Sequence, residues 1–211
     1  MNYKEALEFS REVEMRDVST SAYEDIWEAD VIQRTRITEA NYVEVYGKEA
    51  AEVRIIGLDE AYNVQSETLR GAFKSSKKYL RLLYMKALSS KDITATISGA
   101  VQACVKASER EAKMSHFTVP AGYTAFVFNS CVECYKMLYT EEKEAEILRK
   151  TYCPHNNREN ISMLKRVSNN RGASVFPTET FREKTDFWFE AKASKPHTAL
   201  HFEESVILIK N

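Results

Sequence analysis

Glycine and proline are scarce in this chain, six and four in 211 residues. Glycine supplies the positive φ that tight reversals need, and proline a fixed φ near about −65°. A chain so poor in both has little material for flexible linkers or for long arrays of hairpins, and the pattern below is read as helical. The length allows one sizeable core or at most two small ones. Eleven Tyr and ten Phe, with apolar residues at 44%, argue against disorder, because each ring can bury a large apolar area.

The periodicity predicts a helix over residues 3–17, where Asn2 and Glu5 fit an N-cap and Ala6, Leu7, Ser10 and Val13 form a narrow stripe. A second helix is predicted from Ser21 to about residue 33, through Tyr23, Ile26, Trp27 and Val31. Residues 41–56 fit two strands around Gly47 or one helix, with helix preferred over 48–55. From Ser66 to Leu88, the residues Leu69, Ala72, Phe73, Ser76, Leu80, Leu83, Tyr84 and Ala87 recur every three or four positions. Further helices are predicted at 92–113, 141–151 and 158–168, with Asn169-Asn170-Arg171-Gly172 as a stop. Thr124–Phe128 reads as a strand or as the opening of a helix through Tyr139. At the end, 185–191 and 200–209 read as two strands joined by a turn at Lys195-Pro196, a C-terminal β-hairpin. The expected fold is therefore α+β: a predominantly helical single domain over 1–211. It has an acidic helical region at 1–69, a basic helical region at 70–172 and a hairpin tail at 173–211.

No apolar run approaches the roughly 20 residues that span a bilayer as a helix, and the first residues lack the apolar core of a signal peptide. The expected location is cytoplasmic, without a membrane partner, and the four cysteines read as free thiols or metal ligands.

The net charge of −1 hides a split. Residues 1–69 carry 16 acidic and 7 basic residues, net −9, and the other 142 carry 15 acidic and 23 basic, net +8. Such asymmetry points to a polyanion partner or to acidic-to-basic self-association, and equally to two surfaces of one fold that face each other. Between Arg70 and Lys86 stand six Lys or Arg and no acid. On a helix, Arg70, Lys74, Lys77, Lys78 and Arg81 would share one stripe able to track phosphates. A second basic segment, 149–171, holds Arg149, Lys150, Arg158, Lys165, Arg166 and Arg171 among asparagines. Tyr79, Tyr84 and Tyr152 could stack on bases of RNA or DNA.

A cysteine cluster is the second candidate. Cys131-Val132-Glu133-Cys134 is a C-x-x-C, and Cys153-Pro154-His155 follows. Cys131, Cys134, Cys153 and His155 could complete a tetrahedral zinc site, the only cofactor the chain suggests; core thiols are the plainer reading. A strand followed by C-x-x-C also resembles the second half of the cytidine-deaminase zinc motif. Lys106, however, stands where that family's general acid/base Glu would be, and Ser130 replaces its Pro. His197 and His201 are four apart but lack the intervening Glu of a zinc protease. Pro154-His155-Asn156-Asn157-Arg158, followed by an amphipathic basic stretch, resembles a short segment of rod-shaped plant virus coat proteins, which are helical and package RNA.

With no complete acid/base set, the expected function is a non-enzymatic binding or assembly protein. It would engage nucleic acid or a protein partner through the basic helical segments. The alternatives are a self-assembling structural protein, viral or phage-like, forming a homo-oligomer through acidic-to-basic contacts, and a zinc-stabilised module or metal-dependent enzyme.

Overall fold

The computed structural model describes residues 6–15, 17–27, 34–47, 52–70, 73–87, 92–107, 109–136, 142–169 and 173–211. Among these there is no helix. In chain order the strands are β1 (Ala6–Met15), β2 (Glu24–Asp25), β3 (Asn41–Tyr46), β4 (Glu52–Leu58), β5 (Val64–Arg70) and β6 (Lys74–Tyr79). Next come β7 (Arg81–Ala87), β8 (Ile93–Ile97), β9 (Ala100–Val105), β10 (Phe117–Thr118), β11 (Tyr123–Lys136) and β12 (Glu144–Cys153). The last are β13 (Arg158–Ser168), β14 (Ser174–Val175), β15 (Glu179–Phe181), β16 (Asp186–Ala193) and β17 (Thr198–Lys210). The chain forms two compact units, residues 1–27 with 114–211, and residues 28–113 inserted between them in sequence.

The first unit has two antiparallel sheets. One runs β1-β17-β11-β14, with β15 also on β11; the other runs β10-β16-β12-β13, with β2 on β16. Alternation along each strand sends one set of side chains into a shared core. Val13 and Met15 of β1, Leu200 and Phe202 of β17, and Val132 and Cys134 of β11 come from the first sheet. Ala145 and Ile147 of β12, with Phe189, Ala191 and Ala193 of β16, come from the second. β11 carries a bulge between Phe128 and Cys131, and Asn129 there has φ 53°. The bulge changes which parity faces inward, from Ala125 and Val127 to Ser130, Val132 and Cys134.

The second unit pairs β5-β4-β7 in one sheet and β6-β3-β8-β9 in the other. Val43, Ile55, Leu58, Tyr79, Leu82, Met85, Ile93 and Ile97 are among its buried side chains. A Cβ at Gly57 would collide with the Arg81 carbonyl oxygen and lie 2.8 Å from Tyr79 Cδ1, so β4 and β7 approach closely only because this residue has no side chain.

The predominantly helical α+β reading is overturned throughout. Residues 3–17 contain β1, and the predicted helix at 21–33 contains β2, its last residues lying outside those described. The 48–55 helix is replaced by the start of β4, with 48–51 undescribed. The described residues of 66–88 fall on β5, β6 and β7; 92–113 contains the β8–β9 hairpin; 141–151 overlaps β12 and 158–168 is β13. Ala72, Tyr139, Glu141, Asn170 and Arg171 lie outside the described residues. Strands do occupy 186–193 and 198–210, but they form no hairpin: β16 pairs with β10, β12 and β2, whereas β17 pairs with β1 and β11. The link at 194–197 passes from one sheet to the other.

The premise about turns fails for a specific reason. Among the described residues seven that are not glycine, Asp17, Tyr62, Ser98, Asn129, Asn157, Lys184 and His197, take the positive φ that glycine usually supplies, against three glycines. Short polar side chains tolerate that region best, and four of the seven are Asp, Asn or His.

Gly57→Ala is expected to destabilise the protein by about 1–3 kcal/mol, the usual cost of forcing extra volume into a packed site, measured by urea denaturation.

Candidate functional site

Inward positions of the first unit carry buried charge where alternation calls for apolar groups, among them Arg11 on β1, Glu204 on β17 and Arg149 on β12. Arg11 forms an ion pair with Glu204 and donates from Nη1 to the Ser115 carbonyl at 2.6 Å. The Ser130 hydroxyl, turned inward by the β11 bulge, donates to Glu204 Oε1 at 2.9 Å and accepts from Arg149 Nη2 at 3.0 Å. Arg149 Nη1 reaches Glu179 Oε1 at 2.8 Å. Both guanidiniums lie against rings, Arg11 over Phe117 and Phe187, Arg149 over Phe176 and Phe189. Burial, then the nearby Arg149 charge, pulls Arg11 down to about 9, which still leaves it charged at neutral pH. Burial also lowers Arg149, against the raising effect of Glu179. Two cations and two carboxylates make this cluster self-neutralising, a structural clamp between the sheets.

Arg149 is the last inward residue of β12 before a second bulge. Arg149 pairs with Met163 and Lys150 with Ile161, so Ser162 of β13 is the extra residue, and its hydroxyl donates to the Arg149 carbonyl at 3.3 Å. Met163 packs on the core and Lys165 lies over the Phe176 ring, so these two point inward. The skipped residue restores Ile161 to the same outer face as Leu164, with Glu159 and Arg166 beyond them. Ile161 is 60% exposed and Leu164 56%. β13 ends its sheet, and no strand among the described residues pairs with its outer side. On neighbouring β14, Val175 is 63% exposed. An eleven-residue free edge with large apolar side chains is a template for another strand.

The ten basic candidates fare differently. Arg81 is buried and donates to the carbonyls of Ile37 and Leu80; Arg149 is fully buried in the clamp. Neither can face a phosphate. In the second unit, Arg70 pairs with Glu52 at 3.0 Å and Lys74 with Glu44 at 3.4 Å. Lys77 Nζ donates to the Ser66 carbonyl, and Lys74 and Lys78 lie over the Tyr42 ring. Glu67 stands beside them, accepting from the Ser76 and Lys77 amides. The predicted helical stripe is thus divided among β5, β6 and β7, with carboxylates beside its exposed members. In the first unit Lys150 is held by Glu190 at 2.9 Å and Glu159 at 3.1 Å. Burial alone would lower Lys150, but these carboxylates raise it. Arg166 pairs with Glu146 at 2.9 Å, Lys165 donates to the Val175 carbonyl, and Arg158 is exposed at the strand start. Of the three tyrosines proposed to stack, Tyr79 is fully buried, Tyr84 binds Glu111 and Tyr152 binds Asn157.

Cys131, Cys134, Cys153 and His155 are not gathered. Cys131 and Cys134 lie on opposite faces of β11, Cys153 ends β12 in the other sheet, and His155 is exposed in the β12–β13 turn. Burial pushes the Cys134 thiol up to about 11; burial, then Glu133 and Glu203, raise Cys131. Both shifts oppose the thiolates that zinc requires. Pro154–Arg158, the stretch resembling virus coat proteins, forms that turn, with Tyr152 donating to Asn157 Oδ1 at 2.8 Å and the Arg158 amide to Asn156 Oδ1 at 3.2 Å. Among the described residues, three ligand-type atoms come together only at Glu12, His201 and Glu203, on the outer surface of the β1–β17 pair. The hydrogen bond between His201 Nε2 and Glu203 Oε1 at 3.0 Å accounts for that cluster as a surface contact.

Sequence reasoning missed β13 as an edge. The available signal was Glu159-x-Ile161 with Ile161-x-x-Leu164-x-Arg166, an alternation interrupted by one residue. Comparison with protein-family models, curated proteins and solved structures finds no match.

Glu204→Gln leaves two buried guanidiniums facing one carboxylate and is expected to cost about 3–5 kcal/mol in denaturant unfolding. Cys134 in the folded protein is expected to alkylate at under about 1% of its unfolded rate at pH 8, followed by mass spectrometry, because so little thiolate exists there.

Proposed function

We propose that the chain is a non-enzymatic binding or assembly protein that engages a protein partner by strand addition at the outer edge of β13. The observation that carries this reading is the exposure of Ile161 and Leu164 side by side on β13, whose outer side no strand among the described residues pairs. Large apolar side chains on an exposed edge invite pairing with other chains, and folded proteins commonly blunt such edges. The clamp beneath supports the reading, since Arg149 fixes β12 and the β12 register fixes β13.

A protein partner is preferred to a nucleic acid because the cations of both basic segments are interleaved with carboxylates. Glu44, Glu52 and Glu67 neighbour the first set, and Glu146, Glu159 and Glu190 the second. Such a surface offers a polyanion little net field.

Residues kept for a partner contribute little to the isolated fold. The pair of substitutions Ile161→Lys and Leu164→Lys is expected to change unfolding free energy by less than about 0.5 kcal/mol, the range typical of surface positions, while raising the solubility limit. A loss of several kcal/mol in a urea titration would place the two side chains in the protein's own core and end this reading.

A further inference from the structure

We propose that the strand added at β13 is β13 of a second copy of this chain, paired antiparallel about a twofold axis between Ser162 and Met163. The proposal rests on the edge-strand reading above and names its partner. The argument is the order of side chains on the outer face. Because Ser162 is the extra residue opposite β12, that face presents Glu159, Ile161, Leu164 and Arg166 in succession. Opposed residues in an antiparallel pair project to the same face. With Ile161 opposite the second copy's Leu164, the twofold also sets Leu164 opposite Ile161, Glu159 opposite Arg166 and Arg166 opposite Glu159. The set is self-complementary: two apolar pairs at the centre and one opposite-charge pair on each side. A register shifted by one residue sets Ile161 opposite Met163 or Lys165, which project to the other face, and separates the apolar pairs, so the order of side chains selects one alignment.

The charges continue the pattern into each copy. Lys150 already holds Glu159 at 3.1 Å, and Glu146 already holds Arg166 at 2.9 Å. Pairing would join them into a row that alternates in sign across the junction: Lys150, Glu159, then Arg166 and Glu146 of the second copy. An isologous contact of this kind closes after two copies and leaves no further β13 edge exposed.

The test is a charge exchange read by sedimentation velocity on the full chain over a concentration series. The wild type is expected to reach twice its 24.3 kDa mass. Glu159→Arg alone sets like charges opposite each other on both sides of the axis, and so does Arg166→Glu alone. Each variant should dimerise at least about tenfold more weakly. An equimolar mixture of the two variants restores an opposite-charge pair at both positions and should recover the dimer as a heterodimer. Thermal melts of each variant alone show that both remain folded. A wild type that stays monomeric at every concentration overturns self-pairing, while strand addition to another protein stands or falls by the stability test of Ile161 and Leu164. A dimer unaffected by either variant, or a mixture no better than its parts, assigns the contact to another surface and also overturns the proposal.

Discussion

Two guanidiniums and two carboxylates share the interior of the first unit, and the stacking of its sheets is the arrangement that brings them together. Apolar side chains alone tolerate small slides of one sheet over another. A buried Arg149 does not, because any slide leaves a desolvated charge without Glu179 or Ser130. Arg11 and Glu204 do the same within the first sheet, one on each of two paired strands that join opposite ends of the described chain. The β11 bulge belongs to this arrangement, since it is what turns Ser130 into the cluster and Cys131 away from it.

The same residues explain why the sheets were hard to read from the sequence. In β1 the inward series is Phe9, Arg11, Val13 and Met15; in β12 it is Ala145, Ile147 and Arg149; in β17 it is Leu200, Phe202, Glu204, Val206 and Leu208. Each is a period-two pattern with a charge at one inward position, and the charge conceals it. The residues that align the sheets are those that disguise the strands. β16 and β17 were legible because their aromatic and aliphatic runs are long enough to survive an interruption, although nothing local showed that they belong to different sheets.

Bulges account for the other large error. Register shifts occur in five strand pairs. Over 66–88 the break at Leu80 and the extra residue Leu83 leave buried Leu80, Leu83 and Ala87 three and four apart, which imitates a helix. The basic residues are close together in sequence, but their assignment to one helical stripe depended on that imitation. On strands, Arg81 turns inward and the lysines fall beside glutamates from the acidic third of the sequence. The opposed surfaces of the bulk charge split are thus partly met within the second unit. At 158–168 the single extra residue had the opposite consequence, assembling an outer face that neither a helical nor a strict two-residue period reveals.

The pairing of β1 with β17 sets an order on the life of the chain. Ala6 lies opposite Ile209 and Met15 opposite Leu200, so β1 finds this neighbour only after residues up to 209 have been made. Residues 28–113 bond among themselves into two sheets and can settle in the interval. During that interval β1 carries Arg11 and its flanking apolar groups without β17 to pair with, a contact of high sequence separation of the kind that slows folding. Until β17 is made, β1 lacks the strand that pairs with all ten of its residues.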